Sequence, residues 1–246
     1  MKKNIFILPI ILVLLFTQCD ESNYYSNDSS DTGTAGSLAR FAIAENYLYT
    51  VELEKRKIFS IANEKEPVFI KQINPGFGIE TIFARDQYLF LGSRWGVYIY
   101  DITLPENPFQ LSMFSHIYSY DPVVISGNFA YATLSSSRTS GWGVDELIVI
   151  DITNKTNPQE VATLAMENPR GLGISGNLLF VCDNGIKVYD ISNPSDLQFI
   201  RKESVSAFDV IPLTNILIVV SETGLYEYEF NSEGELTLLS TIHSNK

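Results

Sequence analysis

The sequence predicts an all-β fold built from one four-stranded unit repeated five times. Three observations predict it: landmarks recurring at a near-constant period, strand-length apolar runs broken by turn residues, and no sustained helical period over 38–246. The first landmark is a turn residue followed by apolar positions. It occurs at Asn46-Tyr47-Leu48-Tyr49, Gln87-Tyr88-Leu89-Phe90, Asn128-Phe129-Ala130-Tyr131, Asn177-Leu178-Leu179-Phe180 and Asn215-Ile216-Leu217-Ile218, with starts 41, 41, 49 and 38 residues apart. The second landmark follows each in turn: IFSI at 58–61, IYDI at 99–102, VIDI at 149–152, VYDI at 188–191 and EYEF at 227–230. Six residues beyond the end of each comes Pro67, Pro108, Pro158, Leu197 or Leu236, which opens another alternating run.

Each unit therefore reads as four short strands. In the fourth unit these fall at about 171–175, 178–182, 185–191 and 197–202, separated by Ser-Gly, Asp-Asn-Gly and Asn-Pro-Ser turn signals. The strand-opening prolines sit where no ladder donor is needed. The 209 residues of 38–246 divided among five units give about 42 per unit. Four strands in that length, repeated, predict a five-bladed β-propeller, whose radial closure protects the sheet edges. A β-sandwich would carry no such period.

Composition narrows the function classes. The chain has 246 residues, 45% hydrophobic and 19% charged, enough for a sizeable core. Seventeen Lys and Arg against 29 Asp and Glu give a net charge of −12, which argues against a nucleic-acid partner, because phosphate binding draws on a basic footprint. Two Cys and two His, far apart in sequence, cannot build a Cys/His zinc site. No metal and no cofactor is expected.

The first 19 residues, MKKNIFILPIILVLLFTQC, give an address. Lys2 and Lys3 form a positive start, and Ile5 to Phe16 form an apolar run of 12 residues. A bilayer span needs about 20 apolar residues, so the run fits a secretory signal instead. The chain turns polar at Cys19-Asp20-Glu21-Ser22. The segment resembles a bacterial lipoprotein signal, with Leu15, Phe16 and Thr17 suiting the positions upstream and Gln18 departing from the usual small residue. That resemblance implies a signal peptide over 1–18, a lipid anchor on Cys19, and export to the outer membrane or cell surface of a Gram-negative bacterium. Loss of both lysines takes the charge to 15 − 29 = −14. The stretch 20–37 is rich in Ser, Asp, Asn, Gly and Thr, and with Cys19 it reads as a lipidated tether over 19–37. Cys182 then has no thiol partner and reads as a small buried hydrophobe.

The repeats carry a family resemblance. Tyr100-Asp101-Ile102-Thr103, Val149-Ile150-Asp151-Ile152-Thr153 with Asn157-Pro158, and Val188-Tyr189-Asp190-Ile191-Ser192-Asn193-Pro194 are similar to LVIVD repeats, as is the Ile-Ser-Gly-Asn stem at 125–128 and 174–177. The resemblance is strongest in units two to four. Unit one has Ser60 at the Asp position, and unit five has Glu229 and lacks the Asn-Pro. It implies a secreted propeller and no particular activity. The recurring Asp101, Asp151 and Asp190 each end a strand before Ser or Thr, where a carboxylate accepts backbone N–H groups, so they are expected to hold turns.

In a four-strand meander the turns alternate ends. First-to-second and third-to-fourth turns share one face of the ring and are uniform in sequence. Second-to-third loops and the links between blades share the other face and vary: Ser93–Gly96, Leu134–Glu146, Asn74–Ile79 and Ser115–Pro122. Both tryptophans, Trp95 and Trp142, fall on the variable face, with Arg94, Arg138, Tyr118 and Tyr120, and with Phe77, His116 and Arg170 also placed there. Aromatic residues beside arginines compose interface hot spots and sugar-stacking platforms. The expected role is a binding module for a protein or glycan partner, with those six residues, Trp95, Trp142, Arg94, Arg138, Tyr118 and Tyr120, as the candidate site.

The alternative is a glycan-binding or glycan-cleaving propeller with paired carboxylates in its central funnel. Glu80, Asp121, Asp145, Asp183, Asp209 and Glu222 fall on the loop side, but nothing in the sequence selects a pair. There is no G-x-S-x-G, H-E-x-x-H or phosphate-cradling loop. Catalysis is thus the minor reading.

Overall fold

The computed structural model describes residues 36–52, 55–74, 78–116, 122–136 and 143–244. They form twenty strands in five antiparallel sheets of four, each sheet in simple meander order, with no helix among the described residues. The chain is a five-bladed β-propeller.

The first blade holds β1 (Phe41–Ala44), β2 (Tyr47–Glu52), β3 (Lys55–Ser60) and β4 (Val68–Ile73). The second holds β5 (Ile79–Arg85), β6 (Tyr88–Ser93), β7 (Gly96–Asp101) and β8 (Phe109–Ser115). The third runs through β9 (Val123–Ser126), β10 (Phe129–Leu134), β11 (Glu146–Asp151) and β12 (Gln159–Ala165). The fourth consists of β13 (Pro169–Ser175), β14 (Leu178–Asp183), β15 (Ile186–Asp190) and β16 (Gln198–Glu203). The fifth is β17 (Asp209–Pro212), β18 (Ile216–Ser221), β19 (Gly224–Phe230) and β20 (Leu236–His243). The sequence periods are thus the blades. Each fourth strand opens one residue after Pro67, Pro108, Pro158 or Leu197, as a proline without a ladder donor requires, and at Leu236 itself in the last blade.

Side chains alternate across each strand, so every blade offers one face to the blade before it and one to the blade after. Four seams between successive blades are largely apolar, the first also holding the buried Arg56 with its Cζ 4.2 Å from the centre of the Tyr100 ring. The first to second seam packs Tyr49, Val51 and Ile58 against Ile82, Leu89 and Leu91. Equivalent clusters fill the second to third, third to fourth and fourth to fifth seams. β6, β10, β11 and β14 are nearly buried on both faces, which explains their continuous apolar runs. Cys182 lies in β14 with its thiol free and buried, and burial pushes that thiol well above its ordinary range.

The fifth seam, between last blade and first, is built differently. On the outward face of the fifth blade, Leu225 is 41% and Ile242 67% exposed, and Glu227 stands where Ile99 packs in the second blade. On the facing side of the first blade, Phe41 is 51% exposed and Lys57 stands where Tyr98 packs. No apolar cluster joins these faces among the described residues. The last blade is instead tied to the start of the chain by residues 36–39, through polar contacts at the channel.

The first strand of every blade lines the axis. Together they enclose a channel of about 410 Å³ lined by Phe41, Phe83, Val124, Ile174 and Val210 from the five blades in turn.

Candidate functional site

The two faces of the ring differ as the sequence predicts. On the uniform face the first-to-second turns place Glu45, Asp86, Gly127 and Gly176 in the left-handed region, at φ of 50°, 51°, 54° and 55°. The third-to-fourth turns repeat one bond. Asp101, Asp151 and Asp190 each accept the backbone N–H two residues on, from Thr103 at 2.6 Å, Thr153 at 2.8 Å and Ser192 at 2.7 Å. Hydrogen bonds from residue 153 and residue 192 hold the Asp151 and Asp190 carboxyls below the usual range. These aspartates are turn residues, as expected.

On the variable face, the β6–β7 turn is a rigid mount. The buried Ser93 hydroxyl accepts the backbone N–H groups of Trp95 and Gly96, both at 3.1 Å, and donates to the Gly96 carbonyl at 2.7 Å. Gly96 has φ of 154°, and a Cβ there would stand 2.1 Å from the Phe114 carbonyl oxygen, so only glycine closes the turn. The result lifts Trp95 clear of the sheet with 51% of its surface exposed. Beside it, Arg94 Nε lies 3.0 Å from Oε1 of the nearly buried Glu80. Of the six predicted site residues, the sequence neighbours Arg94 and Trp95 are the two among the described residues. Tyr118, Tyr120, Arg138 and Trp142 lie outside the described residues, as do Phe77 and the segment 1–35 with Cys19.

The funnel carboxylates are engaged locally. Glu80 holds Arg94. Asp145 accepts the Ser136 backbone N–H at 2.9 Å and its hydroxyl at 2.7 Å. Asp183, fully buried, meets Lys187 Nζ at 2.6 Å and accepts the backbone N–H groups of Glu167 and Asn168. Asp209 accepts Ser37 Oγ at 3.0 Å, Leu38 N–H at 3.2 Å and Val210 N–H at 3.0 Å. Glu222 is exposed, and Asp121 lies outside the described residues. Among the described residues no group of three or more His, Cys, Asp or Glu could hold a metal ion.

The mouth of the channel is also occupied. Ser37 Oγ, while donating to Asp209, accepts the Leu172 backbone N–H at 2.8 Å, and the Ala39 carbonyl accepts Ile82 N–H at 3.0 Å. Residues 36–39 thus bridge the inner strands of the fifth, fourth and second blades across the end of the funnel. The Asp209 carboxyl is pushed up to about 6 by its burial, against the pull of its hydrogen bonds. Sequence reasoning missed this contact, having set Ser37 at the end of a tether. A Ser and an Asp 172 positions apart carry no local signal of their meeting.

The chain is similar to a functionally unknown protein from Desulfotomaculum acetoxidans, at 12% identity and a TM-score of 0.68, over 87% of this chain and 70% of that one. It is similar to a protein from Lactobacillus plantarum at 15% identity and a TM-score of 0.65, over 80% and 67%. It is also similar to the periplasmic gluconolactonase of Pseudomonas aeruginosa, at 15% identity and a TM-score of 0.64, over 80% and 67%. Such identities speak for the fold alone: this is a β-propeller protein. More particularly, residues 141–165 and 169–203 match the LVIVD repeat model, over the second half of the third blade and all of the fourth. The comparison with curated proteins finds no match.

Proposed function

We propose that this protein is an envelope-anchored binding module that engages a protein or glycan partner through the loop face of its propeller. The observation that carries the reading is Trp95: a large aromatic at the apex of a turn made rigid by Ser93 and Gly96, half exposed, beside a positioned arginine. A tryptophan serving only its own loop would pack beneath it. The anchor in this reading is a lipid on Cys19, and the site is the outer membrane or cell surface of a Gram-negative cell.

Catalysis in the funnel is the weaker reading. It needs two carboxylates free to face a substrate, and the described candidates other than the exposed Glu222 are spent on arginine, lysine, hydroxyl or backbone partners. The test is a pair of variants. Cys19→Ala should move the protein from the membrane fraction to the soluble fraction. Trp95→Ala with Trp142→Ala should cost partner binding about 2 kcal/mol or more at unchanged thermal stability. A membrane-bound Cys19 variant would defeat the anchor, and full affinity in the double variant would defeat the loop-face site.

A further inference from the structure

We propose that a second pocket on the loop face, between the fourth and fifth blades, binds a small anionic carbohydrate whose carboxylate or phosphate is received by Arg170. This rests on the loop-face reading and gives it a ligand class at a place distinct from Trp95.

The pocket has a volume of about 340 Å³, within the range of small-ligand sites, and its walls include Asn168, Arg170, Asn184, Gly185, Ser204 and Ser206. The Arg170 guanidinium makes no hydrogen bond or ion pair with any described residue, and Arg170 Cζ sits 5.0 Å from the centre of the Phe208 ring, which steadies it. The acids nearby are occupied: Asp183 by Lys187 and two backbone N–H groups, Asp209 by Ser37 and Leu38, and Glu167 by Asn184 Nδ2 at 2.9 Å and Lys187 at 3.9 Å. Among the described residues, a chain of net charge −12 thus offers this cation in a concave site no ion-pair partner.

Arg170 and Glu80 are the same position in two blades, the second residue of the first strand, each at a register shift opposite the second strand. Such a bulge re-aims the side chain toward the face. In the second blade the following loop supplies Arg94, and the charge is paired at 3.0 Å. In the fourth blade the same loop supplies Asn184, which is neutral, so no described residue answers Arg170 there. A planar guanidinium fork suits a carboxylate or phosphate. Around it the exposed Ser204 and Ser206 hydroxyls suit ligand hydroxyls, while Asn184 Nδ2 is held by Glu167 and Asn168 Nδ2 by Asn184 Oδ1. Gly185, at φ of 138° and with no room for a Cβ against the Glu203 carbonyl, keeps one wall as bare backbone.

The experiment is calorimetric titration of the full-length protein with glucuronate, glucose 6-phosphate, neutral glucose and inorganic phosphate. Glucuronate or glucose 6-phosphate should bind at least tenfold more tightly than glucose, and the two acidic sugars separate a carboxylate from a phosphate source. Arg170→Gln should weaken the acidic sugar at least tenfold. Arg170→Lys, which keeps the charge and the stem, should retain part of the affinity at unchanged melting temperature. No binding of either acidic sugar, equal binding of glucose, or full affinity in Arg170→Gln would overturn the proposal. Inorganic phosphate binding as tightly as glucose 6-phosphate would overturn its carbohydrate part. Trp95→Ala should leave acidic-sugar binding intact while losing the partner, so the two sites fail separately.

Discussion

Ser37 donates its hydroxyl to Asp209 Oδ1 at 3.0 Å, joining the first described residues to the last blade across 172 positions of sequence. Ser37 is 2% exposed, and Asp209 is buried with it. Where the other four seams rest mainly on apolar contact, this one uses a buried hydroxyl–carboxyl pair with two backbone N–H groups. Removing one partner leaves the other buried and under-satisfied, which is the costly way to lose a hydrogen bond. Ser37→Ala should destabilise the propeller by about 1–3 kcal/mol in denaturant unfolding.

The same carboxyl predicts a pH dependence. Its native-state value is raised from 3.8 to about 6, so between those limits the folded chain holds a proton that the unfolded chain has released. The resulting stabilisation is fully present below about pH 4 and is lost as pH rises through 6. Two units at ~1.4 kcal/mol each set a ceiling of ~3 kcal/mol. Asp209→Asn should flatten this part of the curve when compared with the parent chain.

Close approach of β13 and β17 predicts a further sensitivity. A Cβ at Gly171 would lie 2.2 Å from Asp209 Oδ1 and 2.7 Å from the Phe208 carbonyl oxygen. Gly171→Ala therefore forces the inner strands of two blades apart and should cost about 1–3 kcal/mol, the scale of overpacking. Gly176→Ala, with nothing within 4 Å, should show only the smaller penalty of its left-handed φ.

The turn aspartates predict a mild effect. Asp151→Ala loses the bond to the Thr153 N–H at 2.8 Å on an exposed turn. Thermal unfolding should show a loss near the low end of the capping range, about 0.5 kcal/mol. Because hydrogen bonding lowers this carboxyl, its contribution is present above the ordinary carboxylate range and disappears as pH falls through the lowered value.

Much of the ring was legible because repetition makes local signals reinforce each other. Asn46, Gln87, Asn128, Asn177 and Asn215 mark the same turn five times, and the strand-opening prolines mark the outer strands. Individual partners were not legible. Nothing in the sequence around Glu80 says that it meets Arg94, or around Arg170 that it meets no acid among the described residues, since both facts arise from how a bulge aims a side chain. The exposure of Trp95 likewise depends on the Ser93 hydroxyl folding back under the turn.

The uneven seams predict uneven protection. With Leu225 and Ile242 exposed on the outward face of the last blade, amides of β18 to β20 should exchange with solvent faster than those of β13 to β15. Hydrogen exchange resolved by peptide would read this directly.

The central claim is that the loop face carries the partner while the funnel end is taken up by residues 36–39. Hydroxyl-radical footprinting of Trp95 tests it most directly, comparing purified protein with intact envelopes of the cells that make it. The account predicts ready oxidation of Trp95 in the purified protein and strong protection in the envelope. Equal oxidation in both settings would contradict it.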